Sequence, residues 1–320
     1  MRRVVAKIAT PATPRQLISA AAHRFRSARL AYGHGTLNAD DEAAWLMAHA
    51  LRCPFETLAS LLDQPVAPPV RRRAEQLFKH RIAERIPAAY LTHEAWLGEY
   101  RFYVDQRVIV PRSSIAELLR DRLRPWLSAR SSPRAILDLC TGSGCLAIVA
   151  AHTFPRAQVD GVDLSRAALA VARRNVREHR LTARVHPHHS NLFSGLAGKR
   201  YGLILANPPY VRDTVMRKLP AEYRQEPALA LHGGRDGLYL VRRILSDAPA
   251  HLEARGWLVM EVGHHRQRVE RAFPRLPFIW AETSGGDDCV LLLQKEALLR
   301  AMPAPPTTPA IARRPRRSIP

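Results

Sequence analysis

Asn207-Pro208-Pro209-Tyr210 follows directly on the apolar run 201–206. A short apolar run closed by prolines reads as a buried strand. The C-terminal end of such a strand is where open α/β sheets hold their ligands. Two consecutive prolines fix the backbone and remove two N–H donors, so carbonyl oxygens beside Asn207 stay free to accept hydrogen bonds. Tyr210 adds a flat face for a planar group to stack on. Acceptors beside an aromatic plate suit a planar NH2, either a carboxamide or the exocyclic amine of a base. A proline-rich turn that merely closes a strand would use the same residues, so the tetrapeptide alone leaves both readings standing.

A second cluster lies upstream. Asp138-Leu139-Cys140-Thr141-Gly142-Ser143-Gly144-Cys145 joins the apolar run 135–139 to a helical pattern opening at Gly144. Gly142 and Gly144 permit a tight turn and close ligand approach, and the helix N-terminus favours a carboxylate or phosphate. Asp163 ends the next strand, 21 residues after Gly142, where a carboxylate can grip both ribose hydroxyls. Gly142-x-Gly144-x-x-Ala147 also satisfies the dinucleotide fingerprint. The loop by itself therefore fits NAD as well as S-adenosylmethionine. Asp138 ahead of the glycines can meet a ligand's amino group, and the amide-accepting turn follows the fourth strand. Both features resemble methyltransferases, in whose loops such an acid meets the ligand's amino group and whose amino-methylating members keep the acceptor site after the fourth strand.

The elements that must carry these clusters alternate. Apolar runs at 135–139, 159–163, from 184, 201–206, 257–262, 278–280 and 290–293 are separated by helical patterns at 144–151, 167–178, 237–254 and 264–273. Such alternation predicts a mostly parallel, seven-stranded Rossmann-like sheet with helices on both faces, and the two close late strands predict an antiparallel pair at one edge. Ahead of it, Thr13-Pro14 starts a helix, and further helices are expected at about 39–52, 55–63 and 69–84. The domain reading is a disordered leader over 1–12, a helical bundle over 13–85, a β-hairpin linker over 86–112, the α/β domain over 113–298 and a basic tail over 299–320. In the linker, 95–104 and Val108-Ile109-Val110 are expected as strands. Ser113 is expected to cap a helix reaching about Leu127.

Composition sets outer bounds. The net charge of +21 over 320 residues places the chain near a polyanion, most simply nucleic acid or a ribonucleoprotein; a generally Arg-rich background is the alternative. Cys53, Cys140, Cys145 and Cys289 form no CxxC pair and read as reduced thiols of a cytoplasmic protein. No apolar run is long enough to span a membrane. His186-x-His188-His189 lacks a carboxylate or Cys partner in sequence and reads as a polar strand-end turn, so no metal site is expected.

The two clusters together resemble class I S-adenosylmethionine-dependent methyltransferases acting on a planar amino nitrogen. More closely, from about Leu17 to Lys295, the chain is similar to the bacterial glutamine N(5)-methyltransferases that modify translation proteins. The loop 138–145, Val110-Pro111-Arg112-Ser113, the stretch 219–227 and Gly233-Gly234-Arg235-Asp236-Gly237-Leu238 resemble the branch acting on large-subunit ribosomal protein three. The release-factor branch usually has Gly and Thr where Cys140 and Ser143 stand. The resemblance implies that Cys140, Thr141, Gly142, Ser143 and Gly144 wrap the methionine part of S-adenosylmethionine. It implies that Asp163 holds the ribose and that Asn191 and Leu192 lie beside adenine. Asn207 and Pro208 would accept from the substrate amide where it meets the cofactor, with Pro209 and Tyr210 beside them. Asn191 stands where the family commonly has Asp, and Ser114 where it commonly has Pro. The implied partner is a large-subunit ribosomal protein or an assembly intermediate, with rRNA contact through the basic surface and tail. A release-factor glutamine methyltransferase, an adenine N6 or guanine N2 nucleic-acid methyltransferase, and a turnover-deficient ribosome-assembly module are the alternatives.

Overall fold

The computed structural model describes residues 12–127 and 132–301. Most of the expected leader and the tail from 302 onward lie outside the described residues. Helix α1 (Pro14–Ser27) starts where expected: the Thr13 hydroxyl accepts from the Gln16 N–H while the Gln16 side chain accepts from the Thr13 N–H, a reciprocal cap. Asn38 caps α2 (Ala39–Leu51) by accepting from Asp40 and Asp41. Helices α3 (Leu58–Leu61), α4 (Pro68–Ala83) and α5 (Ala88–Thr92) complete the N-terminal bundle. Its core centres on Phe25, Leu46, Met47 and Phe78.

The hairpin is β1 (Ala95–Leu97) and β2 (Tyr100–Phe102), turning at Gly98 with φ +64°. Two linker expectations need correction. Residues 88–92 are helical, and Val108-Ile109-Val110 is not a strand. The Val108 carbonyl accepts from the Tyr90 hydroxyl and the Val110 N–H donates to Glu226, so side chains take the backbone groups a ladder would have used. Helix α6 (Ile115–Arg120) also stops short of Leu127. Arg122 and Leu123 both adopt φ of +56°, outside the helical region, which turns Leu123 and Leu127 into the core.

The main sheet contains β3 (Ala135–Leu139), β4 (Gln158–Asp163), β5 (Val185–His189), β6 (Tyr201–Ala206), β7 (Leu252–Glu261), β8 (Ile279–Thr283) and β9 (Gly286–Gln294). Around it lie α7 (Cys145–Thr153), α8 (Arg166–Glu178), α9 (Asp213–Met216), α10 (Tyr239–His251), α11 (Arg266–Ala272) and α12 (Lys295–Ala301). The strand order is β5-β4-β3-β6-β7-β9-β8, parallel except for β9, which runs antiparallel to both β7 and β8. Apolar cores cover both faces, as expected for a parallel sheet. The order reverses direction at β3, whose neighbours are β4 and β6. Register there is set so that Leu139 pairs with Ala206. The loop after Leu139 and the turn after Ala206 therefore leave the sheet side by side at its topological switch point.

Two further features differ from expectation. The late helix α12 buries Leu298. The histidines lie along strand β5 rather than in a turn after it: His186 bonds Gln158, His188 bonds Asp160 and His189 bonds the Leu164 carbonyl.

Candidate active site

The two sequence clusters share one cleft, with a cavity volume of about 110 Å³. Cys140, Gly142, Asp163, Asn191, Leu192, Asn207 and Pro209 all line it. Val162, Leu164, Ala168 and Leu240 make much of the remaining wall apolar, the mixture of apolar surface and a few polar groups that suits a nucleoside.

The loop after β3 is held by its own polar residues. Asp138 is buried at 1% exposure; its Oδ2 accepts from the Thr141 hydroxyl and the Ala147 N–H, and its Oδ1 has no partner. Burial raises the Asp138 pKa to about 7 despite those two hydrogen bonds. Ser143 is tied by its carbonyl to Asn175 on α8, and Asn175 also grips both backbone groups of Tyr103. A Cβ on Gly161 would lie 2.9 Å from Thr141 Oγ1 and one on Gly144 3.2 Å from Ala172 Cβ. Asp138, Thr141, Ser143 and Gly144 thus shape the loop from behind, while Cys140 and Gly142 present its open side.

At that open side Gly142 has φ +55°, and a Cβ there would meet only the Cys140 carbonyl, at 3.9 Å. Gly142 lines the cleft, so its backbone leaves that side of the loop open. Asp163 accepts from the Gly142 N–H at 2.9 Å and the Ser165 N–H at 2.8 Å. Each oxygen keeps a lone pair for a hydroxyl donor. Burial moves its pKa upward against those bonds. Asn191 Oδ1 already accepts from Arg243 Nη1 at 3.1 Å. The residues present fit a nucleoside cofactor with a charged amino-acid tail.

Across the cleft stands the acceptor turn. Neither the Asn207 amide nor the Pro208 carbonyl bonds any group among the described residues. Pro208 and Tyr210 do not line this cleft; Tyr210 walls a second cavity with Ser114, Glu261 and Gly263. Its hydroxyl donates to Glu261 Oε1 at 3.1 Å. Glu261 ends β7, and its Oε2 accepts from the Ser113 hydroxyl at 2.6 Å and the Ser114 N–H at 3.0 Å. Burial pushes the Glu261 carboxyl upward, with those bonds opposing.

Glu261 was missed as a site residue, although an acid closing an apolar strand was a readable signal. Three glycines also press on the turn: a Cβ would come within 2.6 Å of Tyr210 Cα from Gly233, 2.5 Å of the Tyr210 carbonyl from Gly237 and 2.7 Å of its ring from Gly263. Beside the second cavity, His264 bonds Asp288 near Cys289, and burial pushes the Cys289 thiol up to about 12.

Residues 118–222 match the family model "Methyltransferase small domain" and residues 16–92 match "PrmC N-terminal domain". The ribosomal protein uL3 glutamine methyltransferase of Bordetella pertussis is 53% identical over 89% of this chain and 96% of its own. The chain belongs to the ribosomal protein uL3 glutamine methyltransferase family. The relative of the same name from Neisseria meningitidis serogroup B is 50% identical, covering 90% of this chain and 94% of its own. Among solved structures, a methyltransferase from Pyrococcus furiosus aligns over 70% of this chain and 98% of that one, at 18% identity and a TM-score of 0.47. Membership makes the chain a methyltransferase and accounts for both its helical N-terminal part and its sheet. No helix among the described residues is long and apolar enough to cross a membrane.

Proposed function

We propose that this chain moves a methyl group from S-adenosylmethionine to the side-chain N5 of a glutamine in ribosomal protein uL3. The observation that carries the reading is that Asn207 faces the same cleft as Cys140, Gly142 and Asp163. When bound, the cofactor supplies an electrophilic methyl on a sulfonium with a neutral thioether leaving group. The protein supplies alignment.

An amide nitrogen is a weak nucleophile because its lone pair is delocalised into the carbonyl. The side-chain oxygen of Asn207, which faces the cleft, accepts one of its N–H bonds. Held so, the nitrogen can pyramidalise toward the methyl as the new C–N bond forms. No strong base is required: the protonated N-alkyl amide is very acidic and loses its proton to solvent. Asp163 takes the ribose hydroxyls, Gly142 gives the methionine tail room, and Leu192 packs beside adenine. Arg243 occupies the Asn191 oxygen, which orients the amide at the adenine end. The charge of +21 supports a substrate met in the company of rRNA.

Asn207→Ala should reduce methyl transfer by roughly 10²-fold or more while S-adenosylhomocysteine still binds. Transfer of tritiated methyl to uL3, with protease and nuclease controls, measures it. Near-normal turnover in that variant would overturn the mechanism, and label sensitive to nuclease instead of protease would overturn the substrate.

A further inference from the structure

Two stretches of the cleft wall do not belong to the sheet. Val108 and Ile109 come from the linker, and Pro227, Leu229 and Ala230 come from the long connection between β6 and α10. No β-ladder joins them. They are joined by the carboxylate of Glu226, whose side chain is fully buried, and at the exposed margin by Gln106 donating to the Gln225 side chain at 3.1 Å. Glu226 accepts from the Val110 N–H at 3.0 Å and from Arg112 Nη1 and Nη2 at 2.6 and 2.7 Å. Val110 is the residue after Ile109, and Glu226 is the residue before Pro227, so the clip sits at the hinge of both wall segments.

We propose that Glu226 is a positioning residue for the cofactor cleft, its carboxylate clipping the 107–110 segment to the 227–230 segment so that the two act as one wall. The inference rests on the reading that this cleft takes S-adenosylmethionine. An apolar residue could fill the same space, but it would leave the Val110 N–H orphaned and let the segments slide. A forked guanidinium pair fixes direction as well as distance.

The clip is backed from the N-terminal bundle. His34 Nε2 lies 3.6 Å from the second Glu226 oxygen, and the His34 ring sits 4.3 Å from that of Tyr223. Burial works against ionisation of Glu226, but the hydrogen bonds and charge of Arg112 outweigh it and hold the carboxyl near about 2. The clip therefore stays charged at any working pH.

The test is calorimetric binding of S-adenosylhomocysteine to the full chain, for the unaltered protein, Glu226→Gln, Glu226→Ala and Glu117→Gln. Glu117 holds Ser284 away from the cleft and serves as the control. Binding to Glu226→Ala should weaken by about tenfold or more, equivalent to losing one hydrogen bond to a charged group. Glu226→Gln should show a smaller loss, since it keeps one acceptor, and Glu117→Gln none. Folding is checked by a cooperative thermal transition above the assay temperature. Should either Glu226 variant not fold, Arg112→Lys, which keeps the charge but not the fork, takes its place. Folded Glu226 or Arg112 variants that bind like the unaltered protein would overturn the proposal. Failure of the unaltered protein itself to bind would overturn the cofactor reading instead.

Discussion

Asp138 is a carboxyl moved far from its ordinary state. Its burial, with one oxygen unpartnered, raises its pKa to about 7, and the nearby Asp163 charge adds to the effect. The consequence for stability has a definite sign. Between about pH 4 and about pH 7 the folded chain holds a proton that the unfolded chain has released, so stability falls as pH rises through that window. Below it both states are protonated; above it the full cost of a buried charge is present. Asp138→Asn keeps an acceptor for Thr141 and Ala147 and cannot ionise. Thermal melts of ligand-free protein should show the variant gaining on the unaltered chain from pH 5 to pH 7.5. A difference between the two that does not change with pH would mean that Asp138 titrates normally.

At the scale of elements, the acceptor turn is held by residues from other connections. Gly263 has φ +56°, and a Cβ there would lie 2.7 Å from the Tyr210 ring. Gly263→Ala therefore combines backbone strain with overpacking and should cost about 2–4 kcal/mol, lowering methyl transfer by moving Tyr210. Gly198 has φ +76° but nothing within 4 Å of a Cβ, so Gly198→Ala should cost only about 1–2 kcal/mol with activity intact. Denaturant melts and turnover of the pair separate contact from strain. Equal losses of stability and activity in both would remove the packing argument. The same contrast explains what could be read in advance. Apolar runs alternating with helical patterns are local, and they gave the sheet, its antiparallel edge and the two facing clusters. The end of α6 at Arg120, the non-strand at Val108–Val110 and the Tyr210–Glu261 bond depend on partners far along the chain. No local period carries that information. Helix α5 was hidden because its five residues are too few to show a helical repeat.

For the whole molecule, the decisive contacts are charges buried between the N-terminal bundle and the methyltransferase sheet's connections. Arg81 on α4 has a side chain at 0% exposure; it bonds Glu42, the Ala31 carbonyl and Glu222, and Glu222 also accepts from Ala31 and Arg85. Glu222 belongs to the same β6–α10 connection as Glu226, so the bundle grips the part of the chain that walls the cleft. Exposed pairs such as Arg15 with Asp63 contribute little, because water competes and screens them. Removing Arg81 leaves the buried Glu42 carboxylate without its guanidinium, while Glu222 keeps Arg85, a loss of about 3–5 kcal/mol. Arg81→Met should therefore lower the melting temperature strongly at pH 7.5 and less at pH 5. Burial already pushes the Glu42 carboxyl upward against Arg81, and without the guanidinium it rises further, so Glu42 can take up a proton at the lower pH. Arg15→Ala should leave the melt unchanged at both. Because Arg81 couples the two parts, its loss should also split one cooperative denaturant transition into two, with the helical bundle unfolding first. A single, unshifted transition in Arg81→Met would show that apolar packing alone joins the bundle to the sheet.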